Sequence, residues 1–436
     1  MPTAAATEAL PIGNRQMLAA IVASSLGWAL DLFDLFVLLY VAPVIGRLFF
    51  PSDHATLSLA AVYASFAVTL LMRPVGSALF GSYADRHGRR RTMIAAVIGV
   101  GISTALFGAL PTIGQIGLAA PIIFLLLRLV QGIFVGGVVA STHTIGTESV
   151  PPYWRGAMSG LIGGGGAGIG ALFASLVYFA ATELFPGAAF GVWGWRFMFF
   201  SGILSSVLGL FVFNSLEESP LWTALQARPG TVAQAPVRTL FSRAWLPVLL
   251  VNLMLTFGGG AGYYLTSGYL PTLLKVVGNV PGNAASLILI AGSLVAIVAS
   301  VAAGHCSTLF GRRPTLLALA LIRIVLLPLC YVGWAGAHGI GAIATLALVL
   351  TFFGNAGYAP LLIVLNERFP TALRSTGTGL SWNIGFAIGG MMPTFVSLAA
   401  RTTQDLPIAL AIFVFGISIV FLIGAIIIPE TKDRFV

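Results

Sequence analysis

The stretch TMIAAVIGVGISTALFGAL, residues 92–110, carries no charged side chain and is apolar on every face. A strand of a membrane barrel would alternate between a lipid side and a lumen side, and this run does not. Coiled as a helix at 1.5 Å per residue it measures roughly 28 Å, close to the ~30 Å hydrocarbon thickness of a bilayer. Comparable runs recur along the 436-residue chain and read as spans at 17–46, 58–81, 92–111, 118–146, 157–184, 196–214, 246–273, 284–310, 315–335, 340–364, 375–399 and 407–428. Only 8% of the residues are charged, against about 25% in an ordinary soluble protein. An all-α membrane protein of twelve transmembrane helices is the expected fold class.

A formal net charge of +9 would suit a nucleic-acid partner if the cations were clustered for one. They follow the spans instead. With the N-terminus inside, Arg15, Arg86, Arg89, Arg90, Arg91, Arg155, Arg228, Arg238, Arg243, Arg312, Arg313, Arg368, Arg374, Lys432 and Arg434 fall on one side of the membrane. Arg47, Arg196, Lys275 and Arg401 fall on the other. The positive-inside rule then puts both termini in the cytoplasm of a multi-pass protein of the cell membrane, with no nucleic acid as partner. Cys306 and Cys330 lie in or beside apolar spans, so no disulfide framework is expected. The first sixteen residues lack the apolar core of a cleavable leader, and the ending DRFV is not a lipidation signal.

The chain is written twice. GSYADRHGRR (81–90) after the second span returns as GHCSTLFGRR (304–313) after the eighth. ESVPPYWRGAMSG (148–160) after the fourth returns as ERFPTALRSTGTG (367–379) after the tenth, with Glu, Pro, Arg and Gly at the same spacing. LEESP (216–220) and PETKD (429–433) close the two halves. The expected domains are an N-terminal six-helix bundle over 1–216, a cytoplasmic linker over 217–245 and a C-terminal six-helix bundle over 246–436. Duplicated bundles around a midplane site are a transporter architecture.

These residues resemble the major facilitator superfamily of secondary transporters over nearly the whole chain. Its signature G-x-x-x-D-R-x-G-R-R is matched by Gly81, Asp85, Arg86, Gly88, Arg89 and Arg90, and its fourth-span R-x-x-Q-G by Arg128, Gln131 and Gly132. LGWALDLFD (26–34), ESVPPYWRG, GWRFMFF (194–200) and EESPLW (217–222) look like the proton-coupled organic-acid symporters of the sialate and monocarboxylate branch, with the metabolite:proton symporters as neighbours. The resemblance implies two pseudo-symmetric bundles and uptake of a small carboxylate with a proton by alternating access. It also implies a latch at the 81–90 turn, with Glu148, Arg155, Glu367 and Arg374 in the same charge network. Thr308 and Leu309 stand where the second half would need the Asp and Arg, so the latch is expected on one side only.

The charges inside the membrane carry the chemistry. A charge at the centre of a membrane helix costs roughly 2.5 to 3.5 kcal/mol on insertion scales, so each needs a partner or a wet cavity. Asp31 and Asp34 lie three residues apart in WALDLFDLFVLLY (28–40), on nearly the same helix face, so one cavity or one cation could serve both. Arg73, Arg128 and Arg323 are the intramembrane cations. Arg73 lies about 18 Å of helix from Asp85, near mid-membrane, and its planar fork suits a carboxylate. Arg323 is expected to face an outer helix of its bundle. In the resemblance a first-span Asp and the fourth-span Arg form the proton-coupling pair, and Asp34 and Arg128 hold those positions.

Arg73, Arg128, Gln131, Asn252, Tyr263, Tyr264, Asn355, Tyr358, Trp382 and Asn383 are the candidate substrate contacts, although tyrosines and amides also recur at ordinary helix contacts. GGGGAGIG (163–170) begins inside a span, so close helix packing explains it better than a phosphate loop does. The histidines show no metal spacing, no nucleophile has a positioned base, and no cofactor is expected. The expected function is proton-coupled symport of an organic acid by a monomer, with proton-coupled efflux or a transporter-like nutrient sensor as alternatives.

Overall fold

The computed structural model describes residues 14–87, 89–148, 150–214 and 239–432, and within them not the side chains of 14–16, 78, 81–87, 89–93, 139–145, 148, 212–214, 371, 372, 374 and 375. In the N-terminal half α1 is Asn14–Phe49, α2 Ala55–His87, α3 Arg89–Ala109 and α4 Ala119–Glu148. The helical run Pro152–Leu184 is α5, and Gly194–Phe200 with Gly202–Asn214 forms α6. In the C-terminal half α7 is Leu246–Val277, α8 Gly282–Leu309, α9 Arg312–Ala335 and α10 Ile340–Arg368. Thr371–Gly390 with Met392–Ala399 forms α11, and Leu406–Ile427 is α12. These are the twelve expected spans, with ends shifted by a few residues because several helices run on past the hydrocarbon. Both the first and the last of them meet the same end of the bundle, called here the terminal end; the opposite end is the far end.

Helix regularity breaks where the residues demand it. Pro43, Pro74 and Pro328 sit inside α1, α2 and α9, each removing a backbone donor. Wide π turns occur at Leu161–Gly165, Tyr264–Gly268 and Leu273–Val277. A π turn leaves backbone groups and side chains turned off the regular spiral, a frequent device beside functional sites. α1 is buried along nearly its whole length, whereas Leu321, Val325, Leu329 and Val332 form an exposed apolar stripe on α9. Their spacing of three to four residues is that of a lipid-facing helix side.

The two halves meet along α5 with α8 and along α2 with α11, seams related by the duplication. On α5, glycines recur every fourth residue at 156, 160, 164 and 168. A Cβ at Gly156 would run into Gly304, one at Gly160 into the Ser300 carbonyl, one at Gly164 into the Ser300 side chain and one at Gly168 into Ile297. GGGGAGIG is thus a packing face within a helix, as expected. On the other seam Asn383 Nδ2 donates to Ser77 Oγ at 3.0 Å.

Both ends of the seam are shut. At the terminal end Trp154 stacks on His305 at 5.6 Å, and the Ile363 backbone N–H donates to Ser159 Oγ at 3.0 Å. At the far end the rings of Tyr63 and Tyr269 stack at 4.9 Å, and the hydroxyls of Tyr63 and Thr272 share a 2.8 Å hydrogen bond. One neutral hydrogen bond contributes roughly 1 kcal/mol net, about a fivefold population shift. Tyr63→Phe keeps the stack and loses that bond, so a Ser267→Cys thiol, placed on the interior pocket, should react about fivefold faster with a reagent added at the far end.

Candidate functional site

Midway along α1 and α2, Arg73 holds Asp31 through two parallel contacts, Nη1 to Oδ2 and Nη2 to Oδ1, both at 3.4 Å. Both side chains are buried, and Arg73 Nε has no hydrogen-bond partner. The pair shares its helices with Phe36 and Phe66, whose rings meet those of Tyr263 and Tyr264 of α7 at 6.2 and 5.3 Å. It therefore stands at the seam between the halves.

Asp34 faces a different way. Three residues turn a helix by about 300°, which leaves Asp31 and Asp34 roughly 60° apart. On a helix buried all round, that angle gives the two different nearest partners. Asp34 faces Thr104 and Arg128 and, among the described residues, makes no ion pair. Arg128 instead donates from Nη1 to Gln131 Oε1 at 2.7 Å, and Gln131 Nε2 donates to Thr104 Oγ1 at 2.7 Å. The guanidinium lies 4.1 Å over Phe107 and 5.1 Å over Phe124. Every one of these partners belongs to the N-terminal half. Asp34 and Arg128 are neighbours without a direct contact, and the close pair is Asp31 with Arg73.

Arg323 turns into its own bundle, toward α7, α10 and α12. It is fully buried, wedged where Gly262 of α7 and Gly357 of α10 leave room, with Nη2 donating to the Gly258 carbonyl at 3.0 Å and the guanidinium 4.9 Å over Phe421. The glycines supply the space that a side chain there would fill.

The polar candidates of the second half divide. Tyr263 and Asn355 border a narrow pocket between α1, α5, α7, α8 and α10, together with Phe36, Tyr40, Ser293 and Thr351. Tyr264, Tyr358 and Trp382 belong to an aromatic lattice beside it, in which Trp382 stacks on Phe386 at 3.9 Å and meets Trp28 of the other half at 5.5 Å. Asn252 donates to Ser381 Oγ at 3.4 Å inside the C-terminal half, and Asn383 ties the halves together. Tyr40, Ser293 and Thr351 were not among the sequence candidates. Tyr40 is legible in hindsight, nine residues beyond Asp31 on the same helix, but hydroxyls in an apolar run carry no distinguishing pattern.

At the terminal end the second half has a charge cluster of its own, inside the C-terminal bundle. Arg312 clasps Glu367 through Nε and Nη2, the latter at 2.8 Å, and its Nη1 reaches Ser307 and Thr308. Thr431 Oγ1 donates to Glu367 Oε2 at 2.9 Å. Glu430 accepts from the backbone N–H groups of Arg312, Arg313, Thr431 and Lys432. Partial burial works to raise the Glu430 carboxyl, and these four donors outweigh it, holding it below the ordinary carboxylate range. With Thr and Leu at 308 and 309, the first arginine of the retained GRR does the pairing. Removing one partner of a buried pair leaves an uncompensated charge, at a cost of about 3–5 kcal/mol. Arg312→Ala should therefore lower the thermal midpoint of the detergent-solubilised protein strongly, and Arg313→Ala, at an exposed position, should not.

Gly88 lies outside the described residues, and so do the side chains of Asp85, Arg86, Arg89, Arg90, Glu148 and Arg374 and the surroundings of Gly81. Arg155 is described, at the start of α5 beside the Trp154–His305 stack.

Comparison with known proteins bears on the same architecture. The chain is 28% identical over 433 residues, 98% of its length and 97% of the relative's, to an inner membrane metabolite transport protein of Escherichia coli K12. It is 28% identical, over 97% of its length and 85% of the relative's, to a glycine betaine/proline/ectoine/pipecolic acid transporter of Dickeya dadantii. An alpha-ketoglutarate permease of Escherichia coli K12 is 28% identical over 89% of this chain and 88% of its own length. A solved proton:xylose symporter shares the fold with a TM-score of 0.76 at 19% identity, covering 97% of this chain and 98% of its own. The family profile of the Major Facilitator Superfamily matches residues 17–385, across both halves and every residue of the two intramembrane charge groups, and the chain belongs to that superfamily.

Proposed function

We propose that the protein takes up a small organic acid, such as a monocarboxylate, a sialic acid or a related metabolite, together with a proton, by alternating access in the cell membrane. The observation that carries this reading is the buried Asp31–Arg73 pair at the seam of the halves, its two contacts at 3.4 Å. A substrate carboxylate presents the same two oxygens as Asp31 and can take its place on the guanidinium fork. Asp31, left without its cation in a dry interior, then binds a proton, since an unpaired charge there is expensive. Substrate and proton thus favour each other by the same factor. Asp34 is a second proton acceptor, with Arg128 as its nearby cation and Gln131 holding that cation in place. The compounds in the relatives' names support the reading in one respect: glycine betaine, proline, pipecolic acid and alpha-ketoglutarate all carry a carboxylate.

In this reading the bundles 1–216 and 246–436, joined by the linker 217–245, rock about the pocket, and the terminal end is cytoplasmic, where the positive charge gathers. The 81–90 turn with Glu148, Arg155, Glu367 and Arg374 holds that end shut. The working unit is a monomer in the lipid bilayer. The test is purified protein in liposomes, with internal pH followed while lactate, pyruvate, sialic acid, 2-oxoglutarate and shikimate are added outside one at a time. Acidification beyond that of empty liposomes and of Asp31→Asn liposomes is expected for one of them. Its absence for all, with cationic drugs moving the pH instead, would replace symport by efflux.

A further inference from the structure

Among the described residues, the wall of the pocket contains no Asp, Glu, Lys, Arg or His. It contains aromatic faces, from Phe36, Tyr40 and Tyr263, and three buried polar atoms with no hydrogen-bond partner: Tyr263 Oη, Thr351 Oγ1 and Asn355 Oδ1. The amide of Asn355 is oriented by its own bonds. Its Nδ2 donates to the Thr351 carbonyl and to Ser267 Oγ, both at 2.8 Å. A carbonyl can only accept, so the nitrogen must face it and the unpaired atom must be the oxygen. Tyr40, by contrast, is already satisfied through Ser175 at 2.8 Å.

An unpaired polar group in a membrane interior is costly, and three around one pocket define what would relieve them. Asn355 Oδ1 needs a donor, while the Tyr263 and Thr351 hydroxyls each have a proton to give. A hydroxyl or a carboxamide supplies both senses. A methyl supplies neither, a second carboxylate would confront the Asn355 oxygen with no cation to balance it, and a quaternary ammonium has no proton to donate. In the carboxylate reading the acid end takes the place of Asp31 on the Arg73 fork. Phe36 and Tyr40 stand five and nine residues beyond Asp31 on α1, roughly 7 to 14 Å along the helix.

Resting on the carboxylate reading above, we infer that this pocket receives the uncharged end of the substrate, so that the transported class is a short carboxylate bearing a hydroxyl or carboxamide group at its far end. Tyr263, Thr351 and Asn355 are its specificity residues. Simple alkyl acids, dicarboxylates and betaines fit less well.

The test compares acids of one length that differ only at the far carbon: pentanoate, 5-hydroxypentanoate, 5-amino-5-oxopentanoate, glutarate and 5-aminopentanoate. Binding to the full-length protein is read by tryptophan fluorescence, and transport by counterflow in liposomes. The hydroxy and amide acids should bind at least about tenfold tighter than pentanoate, the margin expected of a few neutral hydrogen bonds. Asn355→Leu and the conservative Tyr263→Phe should each erase most of that margin. Equal binding of all five, or a preference for glutarate, 5-aminopentanoate or pentanoate, would overturn this inference and leave the carboxylate reading standing. Binding of none of the five would overturn both.

Discussion

Arg73→Ala is expected to reduce accumulation of the transported acid by about 100-fold or more, because it removes a bidentate, desolvated contact of the kind that is worth roughly 3–5 kcal/mol when one partner is cut away. The variant also leaves Asp31 buried without a cation, so loss of fold could imitate loss of function. Two further proteins separate these outcomes. Asp31→Asn keeps Arg73 free for the substrate carboxylate but cannot carry a proton, so exchange of substrate across the membrane should continue while accumulation against a gradient disappears. The double variant Arg73→Ala with Asp31→Ala removes both charges and should recover much of the thermal stability that the single variant loses, without recovering transport. Recovery of transport in the double variant would show that the pair only holds α1 to α2. Arg73→Lys keeps the charge and loses the planar fork, and should transport poorly for that reason.

The second large effect is expected from Gly160→Leu. The glycine lies against the Ser300 carbonyl across the seam, so even a Cβ has no room without displacing backbone. Backbone does not yield as a flexible side chain does, and α5 and α8 would have to separate at the terminal end. Uptake should fall by about 50-fold or more, since closing that end costs several kcal/mol of steric strain in a close-packed interior. A single cysteine introduced at Ser159, where the hydroxyl now meets the Ile363 backbone, should become reactive toward a reagent added at the terminal end. Gly341→Ala is the control, because nothing lies within 4 Å of a Cβ there and α10 gains a better helix former. Unchanged transport in Gly160→Leu would mean that the seam opens and closes without this contact.

These predictions draw on features that differ in how far the residues alone reveal them. The spans were legible because hydrocarbon leaves only a helix for an isolated run such as 92–110, and because a charge in such a run stands out against everything near it. The duplication was legible because the turns at 81–90 and 304–313 keep their spacing. Periodicity did not show that Arg312 of the second half would pair with Glu367, since that partner lies 55 residues away and Glu430 comes from near the end of the chain.

By itself, then, the amino-acid order determined the fold class, the twofold plan and the short set of membrane charges, Asp31, Asp34, Arg73, Arg128 and Arg323, from which any coupling must be built. Tertiary structure decided which of them meet. Two aspartates three residues apart differ by about 60° around α1, and that angle, on a helix surrounded on all sides, sends Asp31 to Arg73 at the seam and Asp34 into the N-terminal bundle. It also decided where the neutral pocket lies, because its unpaired atoms come from α7 and α10, Tyr263 on one and Thr351 and Asn355 on the other, and only packing brings them to one wall. Hydropathy is a property of each segment, whereas pairing depends on the rotation and distance between segments, which no single run of sequence contains.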